Sequence, residues 1–294
     1  MRFFIFILFC FSGIAWATPN VVTSISPIGA ITASLMQGIA APVVLQPGQG
    51  DSHHYQLKPS DIMQLQKADL VIWVGPGMEH SFAKAIHQLD PKKVLTLVSQ
   101  KGIHTLPYAT KHASDDHGTI DPHIWLDLDN AKTMAGIIAE RLMAIDSNHA
   151  EQYQTNLEVV SEELDRTKKS LARVLALPSL QQTHFYAYHN SLRYFENQFH
   201  LASGHGITDG SETPPSLYKI THIRDRMRAD KAQCLLIEPD ITKTQVHALI
   251  DQTNVKVVTV TIMPQSPELG IQSYIEMLEG IAQTLLACRD SVLN

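Results

Sequence analysis

Three histidines stand where an imidazole could do chemistry. His53 falls in Gly50-Asp51-Ser52-His53-His54-Tyr55, His123 in Asp121-Pro122-His123-Ile124-Trp125-Leu126-Asp127, and His189 in Tyr188-His189-Asn190-Ser191. Each is in a loop, or where an apolar strand-like run gives way to one. A neutral imidazole offers a metal one lone pair. Three of them from separate segments therefore suit a borderline divalent cation, zinc above all, and bury no net negative charge. The chain carries 15 His against 23 Lys and Arg, so each must be weighed against the blander role of a loop residue hydrogen-bonded to backbone. His104, His112 and His117, with Asp115 and Asp116, form a second group with a modest attraction for metal. His80, His87, His222 and His247 fall on predicted helices and are expected in solvent.

The elements that must position these side chains alternate along the chain. Strands are expected at 20–26, 42–46, 70–74 and 94–98, with helical stretches at 27–40, 61–68 (Ser60 as N-cap) and 79–89 between them. Leu70-Val71-Ile72-Trp73-Val74 is apolar throughout, as a strand covered on both faces should be. Residues 99–122 break the rhythm with Gly102, Pro107, Gly118 and Pro122 and read as a long exposed loop. From Asn130 to Leu177 helix formers dominate, in one or two helices. The pairs Glu162/Arg166 and Asp165/Lys169 mark an exposed face. The alternation then resumes: strands at 183–188, 234–237 and 255–262, helices at 191–199, 214–228, 242–252 and 272–288. The fold class is therefore α/β: two lobes with mostly parallel sheets joined by a long linking helix. The expected division is an N-terminal lobe at 18–129, a helical connector at 130–177 and a C-terminal lobe at 178–294. In open parallel sheets ligands bind beyond the carboxyl ends of strands. His53 and His123 from the first lobe can meet His189 from the second only between the lobes.

Residues 1–17 have the pattern of a cleavable secretory signal: Arg2, the apolar run Phe3 to Phe11, then Ala15-Trp16-Ala17. An N-terminal anchor is the competing reading. Removing the segment takes away Arg2 and no acid, moving the net charge from −6 to −7, which argues against a nucleic-acid partner. It also takes Cys10 and leaves Cys234 and Cys288. In an oxidising compartment such an even pair points to a disulfide worth about 4 kcal/mol, with two buried free thiols as the alternative. No Cys-x-x-Cys occurs, which argues against thiolate zinc sites.

These motifs match a family pattern. His53-His54-Tyr55-Gln56-Leu57-Lys58-Pro59-Ser60-Asp61, Ala68-Asp69-Leu70-Val71-Ile72-Trp73-Val74-Gly75, Asp121-Pro122-His123-Ile124-Trp125-Leu126-Asp127, Tyr188-His189-Asn190-Ser191-Leu192-Arg193-Tyr194-Phe195 and Glu238-Pro239 occur in order. The chain resembles the periplasmic metal-binding proteins of ABC importers (cluster A-I solute-binding proteins), in particular the ZnuA-like zinc-uptake branch of Gram-negative bacteria. The resemblance implies two lobes on a rigid helix and a periplasmic, monomeric protein that captures Zn2+ in the cleft and delivers it to an inner-membrane permease. It implies His53, His123 and His189 as ligands, with His54 as second choice for the first position. It also implies a second-lobe disulfide, matched by Cys234 and Cys288, and a His/Asp-rich loop of which 104–117 is a short version. The fourth ligand stays open among water, a loop group such as His112 or His117, and Glu212. Met263 stands where manganese-binding relatives often carry Asp, which favours zinc.

Two other readings compete. A manganese- or iron-binding relative would use the same cleft. A secreted zinc hydrolase would also use three His and an open position, but the chain has no His-Glu-x-x-His, and Glu238 and Asp240 are the nearest candidate bases. A metal buffer or adhesin without a permease is a further possibility that sequence leaves open.

Overall fold

The computed structural model describes residues 18–47, 55–108, 120–181, 183–202, 204–208, 216–266 and 268–290. His53, His54, His112, His117 and Glu212, and the leader segment, lie outside them.

The first lobe runs β1 (Val21–Ile25), α1 (Ser26–Leu35), β2 (Val43–Gln46), α2 (Pro59–Lys67), β3 (Leu70–Trp73), α3 (Ala83–Ile86) and β4 (Val94–Thr96). Its sheet is parallel throughout, in the order β2-β1-β3-β4, with Val22 opposite both Val43 and Val71 and Ile72 opposite Leu95. β1 and β3 are buried along their whole length, β3 as the unbroken apolar run Leu70–Trp73 and β1 with Thr23 and Ser24 buried among its Val and Ile residues: helices cover both faces. α1 stops at Leu35, short of the expected Ala40, because the chain turns at Gly38 with φ +80, a backbone state that glycine adopts without strain. α2 starts at Pro59, and Lys58 rather than Ser60 is its N-cap. The Asp61 carboxylate accepts from the Lys58 N–H at 2.8 Å and from Tyr55 at 2.9 Å. The helix expected over 79–89 is a 3-10 turn at His80–Phe82 followed by the single-turn α3.

Two helices follow, α4 (Leu128–Ile145) and α5 (Ala150–Leu175), broken at Asp146. α5 has 26 residues, about 39 Å at 1.5 Å per residue, and links the lobes. Its buried residues Tyr153, Asn156, Val160, Leu164, Thr167, Leu171 and Leu175 recur every three or four positions, one stripe of a helix.

The second lobe holds α6 (Pro178–Gln181), β5 (Phe185–His189), α7 (Arg193–Gln198), β6 (His205–Thr208), α8 (Leu217–Ala229), β7 (Cys234–Ile237), α9 (Lys243–Ile250), β8 (Lys256–Thr259) and α10 (Ile271–Asp290). Its parallel sheet, β6-β5-β7-β8, repeats the first lobe's order, although the two halves show no sequence repeat. β6 has no counterpart in the expected strands. It is four residues long with a glycine inside it, and a Cβ at Gly206 would come within 2.4 Å of the Asn190 side chain. Cys234 on β7 and Cys288 on α10 form the disulfide.

The largest apolar cluster belongs to neither lobe alone. It runs from Ile25, Ile31 and Trp125 through Leu164 and Leu171 to Phe185, Leu236 and Tyr274. Two smaller clusters cover the outer faces of the sheets, one around Trp73 and Phe82 and one around Tyr186 and Met227. Direct hydrogen bonds also cross between the lobes. Trp125 Nε1 donates to the Ile262 carbonyl at 3.0 Å, the Tyr274 hydroxyl donates to the Trp125 carbonyl, and the Leu128 N–H donates to Gln198 Oε1 at 3.0 Å.

Candidate metal centre

His189 is the last residue of β5, at the carboxyl edge of the second sheet and opposite Thr208 of β6. His123 lies in the turn before the 3-10 segment Ile124–Leu126, which leads directly into α4. The neighbours of His123 in Asp-Pro-His-Ile-Trp-Leu-Asp fix that turn in place. Asp127 caps α4, its carboxylate accepting from the Asp129 and Asn130 N–H groups at 2.8 and 3.1 Å. Trp125 ties the turn to the second lobe. Asp121 folds back onto His123 itself.

The two imidazoles meet across the cleft with ring centroids 4.8 Å apart, inclined at 65°. His123 is 1% exposed, and its Nδ1 lies 2.7 Å from Asp121 Oδ1, which also accepts the His123 backbone N–H at 3.1 Å. The His189 side chain is 11% exposed, and its Nδ1 lies 3.1 Å from Glu238 Oε1 at the end of β7. The Ser191 hydroxyl donates to the same oxygen at 3.0 Å. Burial alone would raise the Glu238 carboxyl. The neighbouring His189 and His123 imidazoles and the hydrogen bonds from His189 and Ser191 outweigh it and hold the group below the usual carboxylate range.

A carboxylate on Nδ1 fixes the tautomer: the proton sits on Nδ1, and Nε2 carries the lone pair. Such carboxylate–histidine pairs orient ligating imidazoles and raise their basicity. Both Nε2 atoms are buried. Two neutral imidazoles, each backed by a carboxylate, offer a divalent cation two nitrogen donors.

The structure places His123 and His189 side by side. Among the described residues no three His, Cys, Asp or Glu side chains are grouped as metal ligands. The third candidate, His53, lies outside those residues. His104 lies with Nδ1 3.7 Å from Asp127 Oδ2 and its backbone paired to Asn130. His80, His87, His222 and His247 are exposed. Sequence reasoning did not single out Asp121 or Ser191, although both lie inside the motifs. The cue available was a carboxylate or hydroxyl two positions from each ligand. Glu238, considered as a catalytic base, is engaged with His189 and Ser191 instead.

Two parallel-sheet lobes on one shared core, joined by a long helix, with His189 at the edge of the second sheet and His123 beside it in a turn of the first lobe, define a two-lobed binding protein. The family model described as zinc-uptake complex component A, periplasmic, matches residues 21–288, and the chain belongs to that family. It is 30% identical to the high-affinity zinc uptake system protein ZnuA of Brucella abortus, with 95% of this chain and 94% of that protein covered. Among solved structures, a crystal structure of ZnuA superposes with a TM-score of 0.77 at 21% identity, covering 93% of this chain and 100% of the other. The periplasmic zinc-binding protein TroA of Treponema pallidum does so with a TM-score of 0.77 at 20% identity, covering 93% and 99%. At these identities the structural likeness speaks for the fold.

Proposed function

We propose that this chain is a periplasmic solute-binding protein that captures Zn2+ between its lobes and hands it to an inner-membrane ABC permease. The observation that carries the reading is the pair His123 and His189, 4.8 Å apart across the cleft, each with Nδ1 held by a buried or nearly buried carboxylate. In this reading Nε2 of each binds the metal, and His53 supplies the third imidazole from the first lobe, with His54 second in line. Water, His112, His117 or Glu212 completes the four-coordinate shell. The working division stays 18–129, 130–177 and 178–294, with residues 1–17 removed on export and the mature chain acting as a monomer.

Capture requires deprotonated imidazoles, so affinity falls as pH drops and bound metal competes with protons. The shared core and the Trp125–Ile262 and Tyr274–Trp125 hydrogen bonds oppose wide opening of the lobes. Release therefore depends on local movement of the ligand loops on contact with the permease. Zinc is favoured over manganese or iron because the ligands are imidazoles. Met263, which stands where manganese-binding relatives often carry a carboxylate, places its sulfur 3.7 Å from Ser26 Oγ instead. A hydrolase is not favoured, since Asp121 and Glu238 are both committed to holding imidazoles.

Equilibrium dialysis of the mature protein against 65Zn tests the reading. Tight binding of one ion is expected, lost in His123→Ala, His189→Ala and His53→Ala. Unchanged binding in these variants overturns the ligand assignment.

A further inference from the structure

Asp121, the partner of His123, is also held from the opposite lobe. Arg193 and Tyr194 open α7 in the second lobe. The Arg193 guanidinium donates to the Pro107 carbonyl and lies 3.4 Å from Asp121 Oδ2. The Tyr194 hydroxyl donates to the Asp121 carbonyl at 2.7 Å and accepts from the Leu106 N–H at 2.9 Å. The Asp121 N–H in turn donates to the Leu106 carbonyl at 2.8 Å, beside an antiparallel bridge between Pro107 and Ile120. Two stretches of first-lobe chain, 106–107 and 120–121, are thus gripped together by one turn of second-lobe helix.

The two oxygens of Asp121 therefore face different lobes. Oδ1 receives the His123 ring and backbone, and Oδ2 faces the guanidinium. Asp121 is 1% exposed, so its charge needs partners, and the side chain cannot turn without losing one of them. Tyr194 is fully buried, so the backbone under Asp121 is equally confined.

We propose that Arg193 and Tyr194 are positioning residues for metal capture. Acting through Asp121, they set the direction in which His123 presents Nε2, and they make that direction depend on the second lobe. The proposal rests on the reading of His123 as a ligand. Arginine suits the position because it serves two acceptors, the Pro107 carbonyl and the Asp121 carboxylate, from one planar group, whereas a lysine ammonium is a single point charge on a flexible stem.

The test uses the mature protein as wild type, Arg193→Met, Arg193→Lys, Tyr194→Phe and His123→Ala. Zinc affinity is measured by competition with a chromophoric chelator, zinc release by stopped flow into excess chelator, and site geometry by the visible d–d bands of the cobalt-loaded protein. Arg193→Met and Tyr194→Phe should bind zinc about tenfold more weakly and release it correspondingly faster, the low end of what losing an orienting partner costs. Arg193→Lys should recover part of the affinity, and the cobalt bands of Arg193→Met should shift. A purely structural role would lower the unfolding midpoint of the apo-protein and leave the cobalt bands unchanged, and that result overturns the proposal. So does zinc affinity within about twofold of wild type in both variants. If Arg193→Met does not fold, Arg193→Lys and Tyr194→Phe carry the same comparison. Wild type that binds no zinc, or His123→Ala that binds it unchanged, removes the underlying ligand reading. Wild type that binds zinc and loses it in His123→Ala, with the α7 variants unaffected, overturns this proposal alone.

Discussion

At the residue scale, the centre depends on which nitrogen of each imidazole is committed. Asp121 and Glu238 take Nδ1 of His123 and His189, so both rings are aimed before a cation arrives. Glu238→Gln keeps the shape but removes the charge that favours the Nδ1–H tautomer. Its zinc affinity should fall about tenfold in a chelator competition, while His189 remains in place. His123 and His189, which the structure sets side by side, were legible in the sequence because they lie in short contiguous motifs. Their orienting partners were less so: Asp121 is two residues from its histidine, but Glu238 is 49 residues from His189. A second carboxyl gives a pH signature. Burial pushes Glu196 up to about 7 from the ordinary 4.5, against the hydrogen bond from Gly204. The native state then holds a proton in that window that the unfolded chain has released. Stability contributed at low pH is lost as pH rises from 4.5 through about 7. Compared with Glu196→Gln, wild-type apo-protein should lose ground in urea unfolding as pH rises across this interval.

At the scale of elements, periodicity was a good guide wherever burial was continuous. The helical stretch around α5 and the apolar β3 follow from pattern alone. It failed where a glycine turn ended an element early or a strand was too short to show alternation. α1 stops at Leu35, where Asn156 of α5 reaches over: its amide donates to the Leu35 and Gln37 carbonyls at 2.8 and 2.9 Å, satisfying the end of a helix 119 residues away or more. Asn156→Ala should leave the buried Leu35 carbonyl without the amide and cost about 1–3 kcal/mol, read as a lower urea midpoint with an unchanged denaturant slope. β6 was missed because His205-Gly206-Ile207-Thr208 has no room for alternation, and Gly206 is demanded by Asn190, a neighbour that only the folded sheet supplies.

At the scale of the whole molecule, the shared core makes the lobes one mechanical unit, and the disulfide braces the second lobe at the far end of the chain. Cys234 and Cys288 are fully buried and 54 residues apart. Replacing both by Ala should lower stability by about 4 kcal/mol in the chain-entropy model, measured by chemical unfolding under oxidising conditions. Zinc affinity should change little, because the groups that pair with His123 and His189 are Asp121 and Glu238. The sequence by itself determined the alternation of strands and helices, a long helical connector, the histidine motifs and an even number of cysteines in the chain after residue 17. All of these are written in neighbouring residues or in composition. Only the tertiary structure decided that Asp121 stands between His123 and Arg193, that Glu238 belongs to His189, and that Trp125 binds the first lobe to Ile262. Those contacts join residues 49 to 137 positions apart. No local propensity encodes which distant partner a buried polar group will meet. That is settled when the two lobes pack on one core and each buried donor or acceptor must find a partner there.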